Sequence, residues 1–310
     1  MRLKKADVKR FRTWVWRVLT APFRWLGRGL RFLALRSPLR EFFIPEEEDT
    51  PILDTISRAA QQPGDFLSGL IVHLDALRKH LLRIVLALVF TSSIALVFMN
   101  QILGWLAAPI GGIGSLQAIE VTEPVSVVMR VALLIGFTAA LPYIVFEVLR
   151  FMAPGLSMRA RWFGLAAIPV VTLFFLGGMA FTYYYMLDPA LDVLLNFFGI
   201  TTVARPASYI KFVTGLMFWI GICFEFPIVS YVLSAMGILK ARMLRENWRV
   251  AFILLTVLAA MITPTVDPLN MMIVLLPLWI LYGLSIFMAA LGGLGHTRRQ
   301  QRLGNPELQS

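Results

Sequence analysis

A carboxylate lies in the middle of an apolar segment of this sequence. Glu225 stands in a Phe-Glu-Phe-Pro motif within the run Phe212–Ala235. A charged side chain at the centre of a bilayer costs about 2.5–3.5 kcal/mol on insertion scales, and such residues usually face protein, water or a cationic partner. The sequence therefore predicts a membrane protein with a polar working surface to which Glu225 belongs.

The elements that must position this residue are apolar helices. Of the 310 residues 58% are hydrophobic, whereas soluble domains usually contain about 45–50%. A membrane helix needs about 20 mostly apolar residues. Six stretches are candidates, and the fifth is short enough that we expect it to cross only partly. They are Leu81–Met99, Val127–Leu149, Trp162–Leu187, Phe212–Ala235, Val250–Ile262 and Leu269–Leu291.

The basic residues alternate along the connections between these stretches. Lys and Arg concentrate in 152–161, 237–249 and the C-terminal tail, whereas 100–126 and 263–268 contain neither. The positive-inside rule then places both termini in the cytoplasm. We predict a multi-pass plasma-membrane protein with four regions: a basic extension (1–45), an acidic and polar linker (46–66), a six-helix membrane domain (67–295) and a cytoplasmic tail (296–310).

The N-terminal extension is basic and aromatic. Its arginines at positions 10, 17, 24 and 31 recur every seven residues, close to one face of a helix. We favour an amphipathic helix on the anionic cytoplasmic leaflet of the bilayer. A disordered basic tail is the alternative, and we expect no nucleic acid among the partners.

Residues for several other chemistries are missing from the sequence. Cys223 is the only cysteine, so no intramolecular disulfide forms. The three histidines do not cluster with Cys or acidic residues at metal-ligand spacing. The sequence has neither a phosphate-binding loop nor a hydrolase nucleophile elbow. We therefore expect no metal, no cofactor and no enzymatic activity.

Short motifs follow one another in a characteristic order. They are His-Leu-Asp-Ala-Leu-Arg ending at Arg78, Ala-Pro ending at Pro109, Thr-Glu-Pro with Glu123 and Pro124, Phe-x-x-Pro-Gly-Leu with Phe151, Pro154 and Leu156, the Phe-Glu-Phe-Pro of Glu225 and Pro227, and Thr-Pro-x-x-Asp ending at Asp267. The four longer ones are weak singly and strong together in this order. Over roughly Leu70 to Leu291 the chain resembles the TatC family, the multispanning subunit of the twin-arginine protein translocase.

The resemblance implies a fold and a task. The fold is an all-α membrane protein of six tilted helices in a cupped arrangement, with the last two helices short. The task is to bind the twin-arginine signal peptide of a folded cargo protein, within an oligomeric complex with single-span subunits of the TatA/TatB type, driven by the proton-motive force.

Residue roles are carried over position by position. Matching positions that imply signal or partner recognition are Arg78, Phe151, Pro154, Leu156, Arg161 and Glu225. The two arginines also fit plain topology charges. We assign structural roles to Pro109, Glu123, Pro124 and Pro227, and a helix cap to Asp267. For Glu225, a protonated acid bonded to a carbonyl that Pro227 leaves without its helical donor is the alternative.

Three acidic residues usual in the family are replaced. Ala76 stands two residues before Arg78, and Ala160 directly before Arg161, where Glu is usual; Gly283 replaces an acid in the last stretch. The first two carboxylates are associated with the paired arginines of the signal, because a carboxylate matches the planar guanidinium fork. Alanine offers no acceptor.

Three interpretations of this loss remain open. Asp75, about 100° round the helix from Ala76, and Glu147 substitute for the missing acids at the cytoplasmic surface. Alternatively, the chain is a divergent paralogue that keeps the scaffold and recognises other signals or none. The third is an unrelated six-span transporter or intramembrane enzyme, which predicts polar residues inside several spans, and only Glu225 fits that.

Overall fold

The structure is a computed structural model. It describes residues 63–155, 158–195, 204–235, 238–263 and 268–304. The basic extension, most of the linker, Leu156 and Asp267 lie outside these ranges, so the predictions made for them stay predictions.

Every regular element in the described ranges is helical, as predicted. Short 3-10 turns lie at Ala108–Ile110, Ile113–Ser115 and Ala153–Gly155, and a π turn at Thr182–Met186 joins α4 to α5. The helices are α1 (Pro63–Val97), α2 (Met99–Leu106), α3 (Glu123–Met152), α4 (Met158–Phe181), α5 (Leu187–Leu195), α6 (Pro206–Ala235), α7 (Ala241–Glu246), α8 (Trp248–Ile262) and α9 (Pro268–Gly304).

The six predicted apolar segments are confirmed. Five helical segments are long and apolar enough to cross a membrane, and α8 is a shorter apolar helix. The five are His73–Val97, Glu123–Met152, Arg161–Leu195, Pro206–Ala235 and Met271–Gly293.

The expectation of two short final helices needs a correction. α8 has 15 residues and is short as expected, because Thr263 precedes a proline and takes an extended backbone (φ −75°, ψ 133°). α9 in contrast has 37 residues, and its apolar part alone, Met271–Gly293, has 23. No proline interrupts the sequence from 294 to 304, and its arginines and glutamines are good helix formers, so the helix continues to Gly304.

The chain divides into two structural units. One comprises residues 1–69 and 152–158, so that Pro154 belongs to it, and the other comprises 70–151 and 159–310. The contacts described below all lie in the second unit.

Small residues let the helices of the second unit approach closely. A Cβ atom on Gly178 of α4 would lie 2.8 Å from the Cα of Gly221 in α6. The Ser234 hydroxyl of α6 donates to the Ala289 carbonyl of α9 at 2.6 Å, and Thr91 of α1 donates to the Gly136 carbonyl of α3 at 2.8 Å. Such contacts stabilise helix pairs in lipid, where water provides no hydrophobic driving force between helices.

Candidate functional site

A buried carboxylate ties α1 to α3. Glu147, near the end of α3, is 1% exposed. Its Oε2 atom is 2.5 Å from Nδ1 of His80, and its Oε1 atom accepts a hydrogen bond from the Tyr143 hydroxyl at 2.8 Å. Nη1 of Arg83 lies 3.7 Å from the same Oε2. Because His80 and Arg83 belong to α1, this one side chain holds the two helices in register.

Phe151 extends this cluster by one helical turn. Its ring centroid lies 4.5 Å from that of His73 and 5.9 Å from that of His80. The two histidines are seven residues apart and so share one face of α1. The last two turns of α3 therefore present an acid and an aromatic ring to that face.

Asp75 lies on another side of α1. It is exposed and pairs with Lys79, whose Nζ atom is 2.6 Å from Oδ2 of the aspartate. At 3.6 residues per turn its position is about 160° round the helix from His73, whereas Ala76 is within about 60° of it. The structure therefore gathers Glu147 and Phe151 beside the face on which Ala76 stands. It does not bring Asp75 into the same cluster.

The other predicted recognition residues are distributed differently. Arg78 is exposed on α1, and Arg161 is buried at the start of α4. Pro154 is exposed in the 3-10 turn that follows α3. α3 ends at Met152, two residues before this proline, because proline cannot continue the helix without strain.

Glu225 is partly buried within α6. Its Oε1 atom is buried, and no described residue offers it a hydrogen bond. Pro227 stays inside α6 without ending it, although it leaves the carbonyl four residues earlier without its helical donor. The structure shows no bond from Glu225 to that carbonyl within the described ranges. Lys211, Phe218 and Glu225 are spaced by seven residues and so lie along one face of α6.

A second ionic cluster lies where α3 and α6 begin. Glu123 is the first residue of α3 and is buried. Nε of Arg205 donates to its Oε1 at 2.9 Å, and Nη2 of Arg205 donates to Glu120 at 2.9 Å and also contacts Glu123. The hydrogen bond to Glu123 raises the pKa of the Arg205 guanidinium above its ordinary value. We call the end of the helices at which this cluster lies the Glu123 end. Pro124 occupies the next helical position, where a missing N–H costs little.

Two tyrosine hydroxyls fix α2 at the same end. Tyr183 donates to the Trp105 carbonyl and Tyr209 to the Leu106 carbonyl, each at 2.7 Å. The Trp105 ring stacks on Tyr183 with centroids 3.9 Å apart. Pro109 lies in the 3-10 turn directly after α2. The sequence did not predict these two tyrosine hydrogen bonds or the role of Arg205. The only sequence feature that pointed to that role is that Arg205 is the single basic residue in the connection 188–209.

The family profile of Sec-independent protein translocase protein (TatC) matches residues 72–277. That range begins at Val72 within α1, runs through all the helices from α2 to α8 and ends in the first part of the apolar segment of α9, and it contains both clusters.

The chain belongs to the TatC family.

Relatives of the family cover the same region. TatC of Carboxydothermus hydrogenoformans is 33% identical over 220 residues, which are 70% of this chain and 90% of the relative. TatC of Deinococcus radiodurans is 31% identical over 255 residues, 79% of this chain and 92% of the relative. A crystal structure described as the twin arginine translocase receptor TatC superposes with a TM-score of 0.64 at 31% identity, covering 71% of this chain and 99% of that one.

Family membership excludes one of the three interpretations that the sequence left open. The resemblance, the helical fold and the assignment as a TatC-type translocase subunit are confirmed. The interpretation as an unrelated six-span transporter is wrong. The chain is a multi-pass membrane component of a protein translocase.

Proposed function

We propose that this chain is the signal-recognising subunit of a twin-arginine translocase in the plasma membrane, with both termini in the cytoplasm. The solved relative at 31% identity is described as a twin arginine translocase receptor. The alternation of basic connections supports the orientation, since the ends of α1 and α3 that carry the Glu147 cluster are on the basic side. Single-span subunits of the same translocase are the proposed partners, in an oligomeric complex driven by the proton-motive force.

The Glu147 cluster is the observation that carries this proposal. Ala76, the position of the usual family acid, stands beside the face of α1 that Glu147 contacts. A carboxylate has about four acceptor positions, and Glu147 uses two in short hydrogen bonds and one in the long contact with Arg83. An incoming guanidinium that displaces Arg83 can therefore bind without breaking either short bond.

Asp75 provides the second proposed acceptor. Its pair with Lys79 is exposed, and such surface pairs are worth about 0–1 kcal/mol, so the pair opens easily. Consecutive side chains of an extended peptide point in opposite directions. Two adjacent arginines of a signal can thus approach carboxylates on different sides of α1. Phe151, Arg78 and Arg161 would border this surface, and Glu225 would contact the apolar part of the signal or a polar partner helix. For Pro154 and Leu156 the recognition role that their motif implies remains part of the proposal.

The test is photocross-linking in native membranes. A photoreactive residue at exposed Leu77, next to Ala76 on α1, is challenged with a twin-arginine signal peptide and with a twin-lysine control. We expect arginine-dependent adducts that fall in Asp75→Asn and in Glu147→Gln and vanish in the double variant. Glu246→Gln is the matched control, because Glu246 is also an exposed acid in an i,i+4 pair with an arginine. Unchanged adducts in the double variant would reject both acceptors.

A scaffold that has lost signal recognition is the second candidate. It is favoured by the alanines at 76 and 160 and by the burial of Glu147 among internal partners. In that case the wild-type chain gives no arginine-dependent adduct, while a single-span subunit still cross-links to it. An arginine-dependent adduct with the signal peptide, together with an adduct of the single-span subunit, would instead establish an active receptor.

A further inference from the structure

A groove opens between α1, α3 and α6. Its volume is ≈ 300 Å³. Apart from two bases and Thr214, its walls are apolar or glycine, and they include Leu88 of α1, Phe137 of α3 and Phe218 of α6. None of the residues of the Glu147 cluster or of the Glu123 end lines it.

The two bases in this groove are Arg130 and Lys211. No acid lines the groove, and within the described residues neither base forms an ion pair with a carboxylate. Arg205, the base nearby in sequence, is by contrast held by Glu120 and Glu123. As far as the described residues go, the groove thus carries two positive charges without a counter-charge.

The depth of these bases follows from helix geometry. With a rise of 1.5 Å per residue, Arg130 lies about 10 Å beyond the start of α3, and Lys211 lies about 7–8 Å beyond the start of α6. Long basic side chains extend from such positions to the level of the lipid headgroups. Cations inside membrane segments are costly and normally paired. A ligand that fits must therefore carry an anion at the surface and an apolar chain below it.

We propose that this groove binds one anionic phospholipid from the leaflet at the Glu123 end. Its phosphate lies between Arg130 and Lys211, and one acyl chain runs along Leu88, Phe137 and Phe218. A partner helix could neutralise the two bases only by carrying an acid into the groove, and an intramembrane acid is costly. An acyl chain is narrow and flexible enough to enter the groove. A bound lipid would fill the space between α1 and α6, with its phosphate at the two bases and its acyl chain along the apolar wall.

The experiment uses the whole chain in nanodiscs of phosphatidylcholine. A trace of phosphatidylglycerol with a photoreactive group in its acyl chain is compared with the phosphatidylcholine that carries the same group, and adducts are mapped by mass spectrometry. We expect adducts of the anionic lipid on the α3 and α6 segments of the groove to exceed those of the zwitterionic lipid by about thirtyfold, the scale that two bases near a membrane surface provide. Arg130→Gln with Lys211→Gln should remove this preference.

Three controls separate the alternatives. The charge-conserving pair Arg130→Lys and Lys211→Arg should keep the preference, and so should Lys240→Gln, which removes an exposed base away from the groove. Inorganic phosphate should not compete, and if it does, the site takes a free anion and the lipid assignment is overturned. Equal labelling by the two lipids in the wild-type chain overturns the proposal even if the double variant fails to fold, as does a preference that survives in that variant.

Discussion

Replacing Glu147 tests whether its carboxylate holds α1 against α3. Glu147→Gln keeps the shape of the side chain and the acceptor for the Tyr143 hydroxyl. It puts an amide in place of the oxygen that lies 2.5 Å from Nδ1 of His80. Hydrogen bonds to charged groups contribute about 1.5–3 kcal/mol. The amide can keep at best a neutral bond to the imidazole, and it removes the negative charge that faces Arg83. We therefore expect the free energy of unfolding to fall by about 2–3 kcal/mol.

Tyr143→Phe isolates the second bond. The Tyr143 side chain is 40% exposed, so its carboxylate bond is partly replaceable by water at the interface. We expect a loss of about 1 kcal/mol. Because both variants act on one carboxylate, the double variant should lose less than the sum of the two, with a coupling of about 0.5–1 kcal/mol.

The assay is reversible unfolding in mixed micelles, followed by circular dichroism. Glu246→Gln serves as the control, because its exposed pair with Arg242 should change stability by less than about 0.5 kcal/mol. If Glu147→Gln unfolds within 0.5 kcal/mol of the wild type, the carboxylate does not hold the helices and the reasoning from its burial fails. This measurement also shows whether a loss of cross-linking in the same variant reflects lost binding or lost structure.

Three further predictions concern the helix contacts. Arg205→Gln should release the connection before α3 from α6 and speed amide hydrogen exchange in residues 116–123. Arg205→Lys should give an intermediate exchange rate, because a lysine cannot reproduce the guanidinium fork. Unchanged exchange in Arg205→Gln would mean that the ion pair does not hold the connection against α6. Gly178→Ala should lower the melting temperature, with a cost of about 1–3 kcal/mol from overpacking against the α6 backbone. The same change at Gly177, where no atom lies within 4 Å of the new Cβ, should be neutral or stabilising, and equal effects at the two positions would contradict the close contact. Ser234→Ala should cost about 0.6 kcal/mol in unfolding experiments, the usual value for hydrogen bonds between membrane helices, and no measurable loss would show that its 2.6 Å bond to α9 is not stabilising.

The helices themselves were predictable from the sequence because apolar length decides which segments can cross a membrane. Prolines then set two of the ends: Pro154 follows the last turn of α3, and the proline after Thr263 keeps α8 short. The length of α9 was not predicted, since hydrophobicity shows where a span ends and not where the helix ends. A polar sequence of good helix formers continues a helix that the apolar part has already nucleated.

The site was only partly predictable, because its contacts join residues far apart in the chain. His80 and Glu147 are 67 positions apart, and Arg205 and Glu123 are 82 apart. No local pattern pairs them. Glu147 was singled out by comparison with the family, and the sequence could place Asp75 beside Ala76 but not show which side of α1 faces α3.

The orientation of α1 bears directly on how a TatC-family chain can work without its usual acids. Ala76 lies beside the face occupied by His73 and His80, and that face already contacts a carboxylate that reaches it from α3. A glutamate added at position 76 would bring a second negative charge toward Glu147, at a cost that grows where water is excluded. Alanine at 76 and glutamate at 147 are therefore compatible as a pair. On this argument Ala76→Glu should lower the free energy of unfolding of the wild type, and it should cost less in a Glu147→Gln background. The double change should also regain the arginine-dependent cross-linking that Glu147→Gln alone weakens. Stability that is unaffected by Ala76→Glu alone would show that the two positions do not share a site.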